Sequence, residues 1–174
     1  MGFVKDYNKG KQGEQKVSEI LSEIGSVINA PNKKFYDWDL CVTPNDKECY
    51  DKDFTVEVKF DEMEGSTGNI AIETRNNKSD SDSGVSATKA DLWCHVLVDS
   101  VWITSVKRLK DFIAENKPLK TVKRAGDGNA EILLFKTDDI LHIFNRIDGF
   151  DKNKKDFLRN EVYTLLSEED IPNE

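Results

Sequence analysis

The stretch DFTVEVKFDE, residues 53 to 62, constrains the fold of this chain more than any other segment. Its apolar residues alternate with polar ones, which is the period of a β-strand with one buried face. Glu57 and Lys59 lie two positions apart, so a strand points both side chains to the face opposite Val58. The sequence therefore places a carboxylate and an ammonium side by side, either in solvent or in a shared site.

Length and composition indicate a single domain without a membrane segment. The chain has 174 residues, of which 37% are hydrophobic, and this is enough for one core. We expect one domain over 1–174, with a core of about 10–115 and a C-terminal helical extension of about 137–170. The sequence contains neither a long apolar run nor the apolar core of a signal peptide, which favours a soluble, cytoplasmic protein. Three cysteines, an odd number without paired spacing, fit a reducing compartment.

Hydrophobic periodicity predicts an α/β fold. Helical spacing of the apolar residues indicates helices at 11–25, 105–117 and 154–170. Alternation of apolar and polar residues indicates strands between these helices. In the first half of the chain we also predict a strand within 26–31, a hairpin of 33–43 with 54–60, a strand at 68–75 and a polar loop at 76–87. A short helix should follow, beginning at Ser86 or Thr88, and then two strands within 93–104 that turn near Asp99 and Ser100. The last predictions are a hairpin or long loop at 120–136 and a capped helix beginning at Thr137 or Asp138.

The charge pattern favours a protein that binds a divalent cation rather than a protein that binds nucleic acid through a broad basic surface. The formal net charge is -8, which argues against a protein that simply coats nucleic acid. The chain has 33 acidic residues but only two histidines, so the available ligands are oxygen atoms, which suit Mg²⁺ or Mn²⁺ better than zinc. A local group of lysines beside bound metal remains compatible with a nuclease.

A hairpin would bring further acids to Glu57 and Lys59. In YDWDLCV, Asp37 and Asp39 share the face opposite Trp38. Clustered carboxylates at the edge of a sheet are unfavourable unless a cation binds them. Asp37 competes with Asp39 for this position, and we favour Asp39 because the run LCV that follows it is the better buried strand.

The order Asp39, then Glu57-Val58-Lys59, resembles the core motif of the PD-(D/E)XK nucleases, although Trp38 stands where many members have proline. The segment KGKQGEQKVSEIL is similar to the N-terminal helix of the members that resemble Holliday-junction resolvases, and Glu14 is the matching glutamate. The later TGNIAIETRNN and SGVSATKADLW resemble blocks of phage and bacterial nucleases in this group. The resemblance covers roughly 10–100.

This resemblance implies a restriction-endonuclease-like core, a central mixed sheet flanked by helices, with additional C-terminal helices. It implies a metal-dependent endonuclease that hydrolyses phosphodiester bonds of DNA, with branched DNA or junctions as candidate substrates and a homodimer as a candidate assembly. By the same resemblance, Asp39, Glu57 and Lys59 are catalytic. The implied ligands of Mg²⁺ (or Mn²⁺) are Glu14, Asp39, Glu57 and the carbonyl of Val58, and Glu73 is a further candidate. Lys78 and Lys89, in or next to the polar loop at 76–87, are candidate contacts to DNA phosphate.

Two other functions fit the same sequence. The chain could use a nuclease fold to bind DNA without cutting it, or it could be an acidic protein-interaction or DNA-mimic module, as the net charge and the acidic tail SEEDIPNE suggest. His95, in the apolar run WCHVLV, is more typical of a core histidine than of a ligand.

Overall fold

The computed structural model describes residues 2–31, 37–125, 129–149 and 154–169. The helices are α1 (Gly2–Leu21), α2 (Glu64–Thr67), α3 (Val106–Glu115), α4 (Thr137–Ile140) and α5 (Lys154–Glu169). The strands are β1 (Gly25–Asn29), β2 (Leu40–Pro44), β3 (Phe54–Phe60), β4 (Asn69–Asn76), β5 (Ser81–Asp82), β6 (Leu92–Val96), β7 (Val101–Ser105), β8 (Lys120–Ala125), β9 (Ala130–Lys136) and β10 (Asn145–Arg146). Short 3-10 turns lie at Gly84–Ser86 and Leu141–Ile143.

A mixed six-stranded sheet forms the centre of the molecule, in the order β1-β2-β3-β6-β7-β10. Strands β3 and β6 pair in parallel, and the other neighbours in this sheet are antiparallel. The alternation that marked residues 53 to 62 in the sequence is realised in β3, which lies between β2 and β6. Glu57 and Lys59 therefore belong to an interior strand of the sheet.

One face of the central sheet packs against α1 and α5. The alternate residues Val56 and Val58 of β3 join this core together with Val17 of α1 and Leu165 of α5. Helix α1 approaches β3 closely because Gly13 has no side chain: a Cβ atom there would lie 3.2 Å from the Cβ of Phe60. The C-terminal helix is thus part of the same core as the N-terminal one.

The other face carries α3 and a second, antiparallel sheet in the order β5-β4-β9-β8. Trp93 of β6, Ile72 of β4, Leu109 of α3 and Phe135 of β9 are buried in the core between these elements. This second core lies on the side of β3 to which Glu57 and Lys59 point, since Val56 and Val58 point to the first. The polar residues of β3 therefore face the second sheet.

The predicted fold class is confirmed: the chain is α/β, with a central mixed sheet flanked by helices and a helix at its C-terminal end. The hairpins, α3 and α5 also agree with the sequence, although part of the strand expected at 33–43 lies outside the described residues. No described helix is both long and apolar enough to cross a membrane.

One helix prediction is wrong, and two others are correct in the presence of a helix but not in its extent. Helix α1 ends at Leu21, before Gly25, because β1 already begins at Gly25. No helix begins at Ser86 or Thr88, since the backbone N–H of Lys89 donates to Asp37 O instead of entering a helical turn.

The third is the capped helix expected at Thr137 or Asp138, which is only the single turn α4 followed by a 3-10 turn. The Thr137 hydroxyl donates to Glu64 Oε1 at 2.7 Å. A hydroxyl engaged with a distant glutamate does not cap its own helix.

Candidate active site

The register between β2 and β3 places Asp39 beside the middle of β3. Leu40 pairs with Val56, and Asp39 immediately before it donates its backbone N–H to Val56 O at 3.0 Å. Its side chain then turns toward β3, where Oδ2 accepts the N–H of Val58 at 2.8 Å. Both the backbone and the carboxylate of Asp39 are fixed by the strand that carries Glu57.

Glu57 and Lys59 form an ion pair on one face of β3. Lys59 Nζ lies 2.8 Å from Glu57 Oε1, and the Thr88 hydroxyl donates to Glu57 Oε2 at 3.1 Å. Glu57 is only 8% exposed, whereas the Lys59 side chain is 36% exposed. The carboxylate is held from two sides, and the Lys59 side chain is partly accessible to solvent.

The two groups shift each other's pKa. Burial raises the pKa of the Glu57 carboxyl, the Lys59 ammonium opposes that shift, and the negative charge of Asp39 adds to it, leaving the pKa above its ordinary value. Burial alone would lower the pKa of Lys59, but attraction to Glu57, Asp39 and Glu73 outweighs burial and raises it. Lys59 is therefore an ammonium at neutral pH.

An open cleft of about 650 Å³ lies above this pair. Trp38, Asp39, Glu57 and Lys59 line one side, and residues of the segment 76–87 line the other. The acidic residues lining the cleft are Asp39, Glu57 and, across it, Asp82, whereas Lys59 is the basic residue among the described lining side chains. The cleft has an excess of negative charge, so a cation would be favoured there.

Glu73 is anchored at the base of the opposite wall. It lies in β4, and the Ser83 hydroxyl donates to Glu73 Oε1. The backbone of Gly84 lies directly against that of Glu73. The φ of Gly84 is +52°, and a Cβ atom there would lie 2.3 Å from the carbonyl oxygen of Glu73, so glycine is required. The negative charge of Glu73 therefore acts on Lys59, while the Glu73 carboxylate itself accepts a hydrogen bond from Ser83.

The donor set fits a magnesium or manganese ion bound by two carboxylates. Asp39 and Glu57 line the same cleft, and Mg²⁺ is commonly held by one or two carboxylates with water and substrate phosphate completing its shell. In the described parts of the chain, no three acidic, histidine or cysteine side chains lie close enough together to hold an ion by themselves. Glu14, Asp39 and Glu57 therefore do not form a three-carboxylate group, and water or substrate phosphate would have to complete the shell of an ion held by Asp39 and Glu57.

The remaining predicted site residues lie outside the cleft lining. Glu14 forms an ion pair with Lys11 and borders a separate groove beside α1, so the expected glutamate ligand from the first helix is not brought to Asp39 and Glu57. Asp37 pairs with Lys89 at 3.2 Å. Lys78 is exposed in the turn between β4 and β5, whose neighbouring residues line the cleft.

Two residues that support the site carried no signal in the sequence. Thr88 is 5% exposed and holds Glu57 in position, but its segment read as a helix start. Ser83 engages Glu73 and lay in a stretch that read as a polar loop. A hydroxyl becomes a partner for a carboxylate only through tertiary structure, which residue spacing does not encode.

No protein-family model matches the sequence, and a search of curated proteins finds no significant match. Among solved structures, the chain is similar to that of a bacterial homing endonuclease, I-Ssp6803I. The two are 16% identical, the alignment covers 94% of each chain, and the TM-score is 0.49. At that identity and TM-score, the similarity assigns neither a family nor an activity to this chain.

Proposed function

We propose that this chain is a metal-dependent DNA endonuclease that hydrolyses phosphodiester bonds. One observation carries the proposal: β2 and β3 bring Asp39, Glu57 and Lys59 together on one side of an open cleft. Two carboxylates and an ammonium are the groups needed to hold a divalent cation beside a scissile phosphate and to offset the charge of the transition state.

Asp39 and Glu57 would hold the Mg²⁺ or Mn²⁺ ion, with the Val58 carbonyl as a further candidate ligand. When bound, such an ion polarises the phosphate and lowers the pKa of a coordinated water. Asp39 suits this role because one of its oxygens is fixed by the Val58 N–H, which leaves the other for the ion. The Thr88 hydroxyl orients the Glu57 carboxylate.

Lys59 acts as a cation and hydrogen-bond donor. Because its pKa is raised by the surrounding carboxylates, the ammonium is a poor base at neutral pH. It would orient the attacking water and offset negative charge on the phosphate oxygens. The attacking water gives up a proton to solvent as its oxygen bonds to phosphorus, the bond to the 3′-oxygen breaks, and the departing 3′-oxygen takes up a proton from solvent.

Substrate preference would be set by the walls of the cleft. Lys78 at the turn of the opposite wall and Lys89 beside Asp37 are exposed, so each can contact backbone phosphate, which positions DNA without reading sequence. We therefore include branched DNA and junctions among the substrates, and a homodimer as the assembly that would cut two strands.

Nicking of supercoiled plasmid and of four-way junctions tests this function. With Mg²⁺ or Mn²⁺, the wild-type chain should cut, and Asp39→Asn, Glu57→Gln and Lys59→Ala should each lower the rate by roughly 100-fold or more, the scale of losing one charge-stabilising group. Asp37→Asn is the matched control: it lies two residues from Asp39 but pairs with Lys89, so it should retain activity. Equal loss in Asp37→Asn, or no metal-dependent cutting by the wild type, would refute the assignment.

A DNA-binding protein that does not cut is the second candidate. It is favoured by the Glu57–Lys59 ion pair, which already satisfies much of the charge on Glu57 without a metal. This protein would bind junction DNA with equal affinity in EDTA and in Mg²⁺ and would nick DNA under neither condition. An acidic DNA-mimic would instead bind no DNA under either condition.

A further inference from the structure

A buried histidine lies behind the cleft, next to the strand that carries Lys59. His95 of β6 is paired in register with Lys59 of β3, and its side chain is completely buried. The ring of Phe144 covers it at a centroid distance of 6.4 Å. No step of the proposed hydrolysis uses this imidazole, although a buried polar group without full hydrogen bonding is unfavourable.

The contacts of His95 define its tautomer. The indole N–H of Trp93 donates to His95 Nδ1 at 3.4 Å. Because Nδ1 accepts this hydrogen, a neutral imidazole carries its proton on Nε2. His95 Nε2 points at Asp61 Oδ2 across 3.6 Å and has no hydrogen-bond partner within the described residues.

Asp61 joins three elements at the end of β3. Its Oδ1 accepts the N–H groups of Met63 and Glu64 at the start of α2, and its Oδ2 accepts the N–H of Ala71 in β4 at 3.2 Å. Burial raises the pKa of Asp61, but the nearby His95 Nε2 and the backbone N–H groups of Ala71 and Met63 outweigh burial and lower it. Asp61 is therefore a carboxylate that ties the second sheet to the central one.

The contacts of His95 and Asp61 extend to the cleft in two directions, through Trp93 to Lys59 and through Ala71 toward Glu73. Lys59 Nζ lies over the Trp93 ring, 5.9 Å from its centroid, which is within the range of a cation–π contact. Ala71 lies two residues before Glu73, whose charge acts on Lys59. His95 thus contacts one side chain that supports Lys59 and another that fixes the strand bearing Glu73.

We propose that His95 and Asp61 are positioning residues of the cleft: His95 holds the Trp93 indole beneath Lys59, and with Asp61 it sets the position of β4 and hence of Glu73. Neither residue touches substrate. The catalytic part of this inference rests on the proposed nuclease function, whereas the positioning part concerns contacts that exist without substrate or metal.

The first test is NMR of the uniformly ¹⁵N-labelled wild-type chain. When the imidazole of His95 is neutral, its proton should be on Nε2, because Nδ1 accepts from Trp93. Protonation at Nδ1 in the neutral ring would overturn the proposal. The only other histidine of the sequence is His142, which is exposed and contacts Phe112, so two imidazole signals suffice for the assignment.

The second test compares His95→Phe with His142→Phe as its matched control. His95→Phe should shift both the Trp93 indole N–H and the Ala71 amide signals, and His142→Phe should shift neither. His95→Asn retains an acceptor near the position of Nδ1, so it should restore the Trp93 signal but not that of Ala71. Unchanged Trp93 and Ala71 signals in folded His95→Phe would overturn the proposal.

Kinetics separate positioning from a purely structural role. In His95→Phe, kcat for DNA cleavage should fall about 10- to 100-fold, the range seen when a residue that orients a ligand is lost, with KM within about twofold of wild type. An equal fall in His142→Phe, or a change confined to KM, would contradict it. If the wild type cuts no DNA, the nuclease assignment fails, and the NMR signals alone decide whether His95 and Asp61 position the cleft.

Discussion

The pair Glu57–Lys59 links the stability of the protein to pH. Folding raises the pKa of Glu57, so the folded state holds a proton on this group more tightly than the unfolded chain does. Stability contributed by this group is therefore lost as pH rises above its ordinary pKa toward its raised one. The Lys59 ammonium limits that loss, since it lowers the pKa of Glu57 against the effect of burial.

Lys59→Met should make this dependence visible. Without the ammonium, the pKa of Glu57 rises further, so the variant should be less stable than wild type at pH 8 and approach it as pH falls to 5. Breaking a fully buried pair costs roughly 3–5 kcal/mol, but Lys59 is over a third exposed and solvent screens the pair, so we expect about 1–2 kcal/mol.

Thermal unfolding from pH 5 to 8 measures this difference. Lys89→Met is the control, because the Lys89 side chain is 73% exposed and pairs with the partly exposed Asp37. It should shift the unfolding temperature little, and equally at each pH. A pH-independent loss in Lys59→Met would show that Glu57 does not take up the proton.

Gly84 is the residue on which the opposite wall of the cleft depends. Its positive φ and the close approach to Glu73 O leave no room for a Cβ, so Gly84→Ala should destabilise the protein by about 1–3 kcal/mol. Gly65→Ala is the control, since a Cβ there meets nothing within 4 Å and lies in helix α2. Chemical denaturation of both variants measures the difference, and equal stability would contradict the strained geometry at Gly84.

At the scale of elements, the sequence predicted the strands and helices whose buried face is marked by hydrophobic periodicity. The alternation of β3 and the helical spacing of α3 each place one apolar face on a core, and that is the property residue spacing reports. The approach of Asp39 to Glu57 followed from the hairpin in the same way. Glu14 lies outside the cleft because α1 packs against the face of β3 opposite Glu57 and Lys59, a choice between faces that the sequence left open.

The failures have a common physical cause. Thr88 and Thr137 each precede a segment typical of a helix start, yet their hydroxyls donate to glutamates distant in sequence. A side chain that caps a helix in isolation is used elsewhere once the chain folds, because a buried carboxylate requires donors. Local propensity predicts such residues only where no tertiary partner competes.

Thr88→Val tests the contribution of this segment to the site. The change keeps the shape of the side chain and removes the donor to Glu57, so we expect a loss of about 1–2 kcal/mol in stability, a higher pKa for Glu57 and slower DNA cleavage. Thr104→Val is the matched control: Thr104 is fully buried and donates to Ile143 O at 2.7 Å, in β7. It should lose similar stability while cleavage stays unchanged, measured by unfolding and plasmid nicking. Slower cleavage in both variants would point to a general loss of folding.

At the scale of the whole molecule, the proposed endonuclease is an acidic protein that would have to approach a polyanion. The net charge is -8, and the cleft itself has more acids than bases among its described lining residues. Repulsion of this kind is relieved locally by a divalent cation. Metal and DNA should therefore bind cooperatively.

Manganese should stabilise the folded chain in the absence of DNA. A ligand present at 100 times its dissociation constant stabilises by about 2.7 kcal/mol, so the unfolding temperature should rise with Mn²⁺ concentration and fall back with EDTA. Asp39→Asn should abolish the rise, whereas Glu14→Gln should retain it, since Glu14 borders a separate groove. Loss of the rise in Glu14→Gln would restore Glu14 as a ligand.

The second sheet is built from two separate lengths of chain, β4 and β5 from the path between β3 and β6, and β8 and β9 from the path between β7 and β10. The pairing of β4 with β9 joins them, so the wall of the cleft opposite Glu57 and Lys59 depends on residues that are distant in the sequence. For the proposed endonuclease, exposed residues on these two lengths of chain can change the contacts with DNA, provided that Thr88 and Glu73, which act on Glu57 and Lys59, are kept.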